Sequence, residues 1–202
     1  MERKRLLATL SVAALGLLLA GADYAFAHCD GVDGPVVTAA RKALATNNVN
    51  FALIWVQKQD EPELRGVFQQ TVAVRRLSPE GRALADQHFF ETIVRLHRQG
   101  EGAPYTGLKP AGRDLGPAIP AADRAVESGK TSEIEALLVR DVRNGLRTAY
   151  DELRSRSHYD PNDVTAGRAY VKAYVEYIHF VERLHESATN AAAGHYAEAE
   201  SH

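Results

Sequence analysis

The chain has one cysteine, Cys29, one methionine and one tryptophan in 202 residues. A single thiol cannot close an internal disulfide, so packing must hold the fold, and the thiol is unpaired, intermolecular or bound to something. An excess of one charge is also missing. The 24 Lys and Arg stand against 26 Asp and Glu for a net charge of −2, with arginines interleaved among acids; this speaks against a nucleic-acid partner. There is no Cys-x-x-Cys-His for haem attachment, no Gly-x-Ser-x-Gly elbow, no Walker loop and no dinucleotide fingerprint, which removes the common cofactor and nucleophile classes. No repeat of solenoid period is present.

The one long apolar run lies at the start. Arg3, Lys4 and Arg5 precede an almost wholly apolar Leu6 to Ala20, and Ala25-Phe26-Ala27 is a small-x-small cleavage signal; together they predict a secretory signal peptide over residues 1–27. The run falls short of the ~20 residues that span a bilayer, so the processed chain is expected in the periplasm or outside the cell and not integral to a membrane. Cys29 is not the first mature residue, which argues against lipid anchoring. Cleavage removes three basic and two acidic residues, taking the net charge from −2 to −3. The roughly 175 residues that remain suit one domain.

What is present reads as helix. Asp33-Gly34-Pro35 opens a short helix to about Ala45, with Asp33 near the N-cap and Pro35 in the first turn. The apolar stretch VNFALIWVQK fits helix or strand, and its helical neighbours favour helix. Further helices are expected over about Glu61–Arg76, from a Ser78 cap to about Arg98, over Pro120–Ser128, over Ser132–Ser157 and, after DPNDV, over Val164–Thr189. Gln99 to Pro120 holds five glycines and four prolines and must be a loop, with Tyr105, Leu108, Leu115 and Ile119 as apolar anchors. The fold class is therefore all-α. One helical-bundle domain of four principal helices over 28–190, a 99–120 crossover loop and a flexible tail at 191–202 are expected.

The long helices carry histidines. His88, Glu91 and His97 lie on one, and Glu176, His179, Glu182 and His185 on the other, with two Glu-x-x-His spacings of the kind di-iron bundles use. A helical wheel splits these pairs: His97 and His185 fall on inner faces with Asp86, while His88 and His179 fall outside. Core-edge histidines satisfied by hydrogen bonds are the plainer reading. Asp86 on an apolar face calls for a helix to cap or an arginine to pair with.

Cleavage after Ala27 changes what His28 and Cys29 are. The new terminus places an α-amine, an imidazole, the His28–Cys29 amide and the Cys29 thiol within two residues, and amine-to-amide chelation with a thiolate suits square-planar Ni(II) or Cu(II), with zinc or iron as alternatives. The opening HCDGVDG resembles the metal hook of nickel superoxide dismutases, whose mature chains begin His-Cys-Asp-x-x-Cys-Gly. The match falls at His28, Cys29, Asp30 and Gly34, and Asp33 stands where the second cysteine would be. It is also similar to openings of the form His-Cys-Asp-x-x-Asp-Gly-Pro in secreted bacterial proteins, a likeness that lends no activity. The resemblance implies a four-helix bundle binding nickel through the terminal amine, the His28 imidazole, the Cys29 amide and its thiolate. Asp33 is then a ligand or a helix cap, and Asp30, His97 and His185 are further candidate ligands. The expectation is a secreted metal-binding protein, of dismutase-like redox type or a non-catalytic carrier or sensor; the third reading is a helical interaction protein without metal. Self-association into a homo-oligomer stays open.

Overall fold

A computed structural model describes residues 28–190; the expected signal peptide and tail lie outside them. The described residues form seven α-helices and no strand, as the all-α expectation holds. Where one bundle was expected, contacts divide the chain into two compact units that part between Leu115 and Gly116, inside the Gly/Pro loop.

The first unit begins with a turn at residues 28–34, followed by α1 (Pro35–Thr46), α2 (Asn50–Leu53), a 3-10 turn (Lys58–Asp60), α3 (Glu61–Val74) and α4 (Pro79–Gly100). Pro35 sits in the first turn of α1, where its missing N–H costs nothing. The stripe Val36, Val37, Ala40, Ala43 and Leu44 is buried at helical spacing. Leu64 and Phe68 of α3 meet Phe89 and Ile93 of α4, with the Phe68 and Phe89 rings 5.6 Å apart. Full burial of a side chain such as Phe89 stabilises by roughly 1.5–3 kcal/mol. Ser78 caps α4 by accepting the Gly81 N–H at 2.9 Å, as its position before Pro79 predicts.

VNFALIWVQK departs from expectation: its helix covers only Asn50–Leu53. Tertiary hydrogen bonds compete for its backbone and side chains. The Trp55 carbonyl takes a bond from His97 Nδ1 at 2.9 Å, and Gln57, in an extended conformation, donates through Nε2 to the Gly100 carbonyl at 2.8 Å. The segment thereby covers the last turn of α4, whose carbonyls have no partner within the helix.

The second unit holds α5 (Ala118–Ser128), α6 (Ser132–Ser155) and α7 (Val164–Thr189). Gly129 closes α5 in the left-handed region at φ 69°, a conformation that suits glycine. Asp163 caps α7 by accepting the Ala166 N–H at 3.0 Å. No described helix is long and apolar enough to cross a membrane.

Candidate functional site

The turn that begins at His28 is folded back on itself and tied to the Gly/Pro loop. The Gly34 N–H donates to the Gly31 carbonyl at 2.9 Å, and the Val32 N–H donates to the Lys109 carbonyl at 3.0 Å. The Lys109 N–H returns a bond to the Asp30 carbonyl at 2.9 Å, so Gly31 and Lys109 form a short parallel bridge. Gly34 is required by contact: a Cβ there would lie 2.2 Å from the His28 carbonyl oxygen. Tyr105, Leu108 and Cys29 pack against the core, so the loop is anchored as its apolar residues predict.

Beneath the turn lies a buried charged cluster. Asp30 Oδ1 is 3.5 Å from Arg98 Nε, and Arg98 Nη1 donates to Glu101 Oε2 at 2.9 Å, with the Asp30 and Arg98 side chains each 5% exposed and Glu101 11%. His97 Nε2 stands 3.4 Å from Glu101 Oε1, and its Nδ1–H donates to the Trp55 carbonyl. Burial pushes the Asp30 carboxyl above its ordinary range, against the pull of the Arg98 and Lys109 cations. Two acids and one permanent cation share this space. The cluster fixes the turn to the end of α4.

Each expected ligand can now be located. His28 and Cys29 are half-buried at the start of the turn, and Cys29 is in no disulfide. Asp33 is not the helix cap: Gly34 holds that position without a side-chain bond, and Asp33 Oδ2 accepts the Gly112 N–H at 2.7 Å across the loop. Asp30 is held by Arg98. His97 is buried on the inner face as expected, and its ring serves Trp55 and Glu101. His185 is a correction, for it is exposed. In α7 the line Ala173, Tyr177 and Phe180 meets α6, and His185 lies roughly 100° round from that line. Tyr174, Ile178 and Val181 of the same helix are also exposed. His88 and His179 are exposed as expected, His179 pairing with Glu182 at 2.9 Å. Asp86 meets the arginine it called for, Arg75.

Among the described residues no group of three or more His, Cys, Asp or Glu side chains is placed to hold a metal ion. A hook at residues 28–29 would need only two side chains, its other donors being the amine that the expected cleavage would create and a main-chain amide. That donor set of imidazole, thiolate and two nitrogens fits Ni(II) or Cu(II). The residues sequence reasoning missed are Arg98 and Glu101. Their signal was the run Leu96-His97-Arg98, which sets two polar side chains beside an apolar stripe at the end of a helix.

Fold and site together define an all-α protein whose first described residues are clamped as a turn over a buried ion cluster. The chain belongs to DUF6448, a family of unknown function, whose model matches residues 33–180. His28, Cys29 and Asp30 precede the matched span. No curated protein and no solved structure matches the chain.

Proposed function

We propose that the processed protein binds a transition metal, nickel or copper before zinc or iron, through the amine and imidazole of His28 and the amide and thiolate of Cys29. The observation that carries this reading is the turn itself. A bare chelating dipeptide loses conformational freedom when it closes on a metal; here the bridge to Lys109, the Gly34 contact and the Asp30–Arg98 pair supply that order beforehand. Cys29 packs on the core, so its sulfur is positioned rather than swept through solvent. The bound cation would hold the thiol deprotonated. Asp30 and Arg98 orient the turn, and Asp33, bonded to Gly112, braces the loop instead of replacing a second thiolate.

A single thiolate with Asp33 engaged elsewhere favours a carrier or sensor over a dismutase. The redox reading rests on the resemblance of the opening, and superoxide consumption by the metal-loaded protein separates the two. The test of binding begins with mass spectrometry of the secreted chain, which is expected to start at His28. Titration with Ni(II) and with Cu(II), followed by thiolate-to-metal absorption, is expected to saturate at one equivalent. Binding is expected to collapse in Cys29→Ser and in a chain that keeps Ala27. A different first residue, or equal binding by all three chains, overturns the proposal.

A further inference from the structure

α6 and α7 form an antiparallel hairpin with almost no interior. No residue of α6 is buried, and only Ala173 of α7 is. The two helices meet along Gly145, where a Cβ would lie 2.5 Å from Phe180 Cζ, and at Tyr150 and Tyr177, whose rings are 5.6 Å apart. Beside that contact line α7 carries a second apolar stripe at seven-residue spacing: Val164, Val171 and Ile178, with Tyr174 and Val181 three residues after the last two. Their exposures run from 37% at Val181 to 58% at Val164. α6 has a matching stripe of Leu138, Val139 and Val142, between 37% and 51% exposed.

Both stripes lie round from the contact line in the same sense, centred roughly 70° from Gly145 on α6 and roughly 130° from Ala173 on α7. In an antiparallel pair such residues emerge on one side, so the hairpin presents a single broad apolar face. Amphipathic helices with stripes this wide bury them against another layer.

We infer that this face is covered by the same face of a second copy of the chain, closing a four-helix bundle about a two-fold axis. Two features of the face select that occupant, and both are independent of the metal hook. The exposed parts of these side chains amount to roughly 700 Å² per copy and about 1,400 Å² for a pair, the size of a stable protein–protein interface. The face also has unlike edges: Arg143 borders it on α6, and Glu182 borders it on α7. The contacts of Gly145 with Phe180 and of Tyr150 with Tyr177 set Arg143 level with Glu182. A two-fold axis parallel to the helices lays each α6 over the α7 of the other copy, antiparallel and at the same level. Arg143 of one copy then meets Glu182 of the other, twice.

The test is sedimentation equilibrium of the full chain across the micromolar range. Wild type is expected to be a dimer, and Val171→Glu with Ile178→Glu to be monomeric with far-UV circular dichroism unchanged. Arg143→Glu and Glu182→Arg are each expected to raise the dissociation constant about tenfold, and the double reversal to restore it. That reversal set decides the matter even where the two glutamates on α7 unfold the hairpin. A chain that stays monomeric overturns the inference, whether another segment or a different protein then covers the face. So does a dimer indifferent to Val171 and Ile178, or one that both single reversals leave unchanged.

Discussion

Replacing Arg98 by methionine removes the only permanent cation from the cluster under the N-terminal turn while keeping most of the side-chain volume. Asp30 and Glu101, 5% and 11% exposed, are then left in one another's company with only the weaker pull of Lys109 on Asp30. Breaking a buried ion pair from one side costs roughly 3–5 kcal/mol, a large share of the 5–15 kcal/mol that holds a typical domain together. The sign of the pH dependence follows from Asp30. Burial already raises its carboxyl above the ordinary range, and Arg98 is the strongest influence lowering it. A carboxyl raised in the folded state favours folding at low pH, and that contribution is lost as pH climbs from the unfolded value through the folded one. Removing Arg98 raises Asp30 further and widens this window upward. The expected loss is therefore about 3 kcal/mol at neutral pH and smaller at pH 4, toward which Asp30 gains its proton. Urea unfolding followed by circular dichroism at the two pH values measures both. A loss under about 1 kcal/mol at neutral pH, or the same loss at both, refutes the account of a buried, mutually dependent cluster.

Gly34→Ala forces a Cβ toward the His28 carbonyl, 2.2 Å away, and neither backbone can yield cheaply. It is expected to cost about 1–3 kcal/mol and to speed the reaction of Cys29 with a disulfide reagent, as read by absorbance. Ser78→Ala removes the α4 cap and is expected to cost about 1 kcal/mol in urea unfolding without altering thiol reactivity, because the cap lies at the other end of α4 from the turn.

Local signals carried most of the helices. Ser78 and Asp163 announced the starts of α4 and α7, and both caps form. Periodicity failed where distant partners decided the outcome. VNFALIWVQK lost its helix to bonds with His97 and Gly100, and Asp33 left the α1 cap for Gly112; none of these partners is near in sequence. His185 was misplaced because a wheel shows that α7 is apolar over a wide arc but not which part of it meets α6. Of the turn, His28 and Cys29 stood out in the sequence because of the expected cleavage site before them. Arg98 and Glu101 did not, since their role depends on a turn that arrives from the far end of the unit.

That distance bears on when the turn can exist. Asp33 and its partner Gly112 are separated by 79 residues, and Arg98, Glu101 and Lys109 lie in the same downstream region. Closing so long a loop costs entropy before any contact returns it, and contacts of high sequence separation form slowly. The first residues of the described chain are thus among the last to find their places, after α4 is complete. A nascent chain has His28 and Cys29 from the outset, yet holds them in order only once the whole first unit has folded. Ordered geometry at residues 28–34 is in effect a report that folding of that unit is finished.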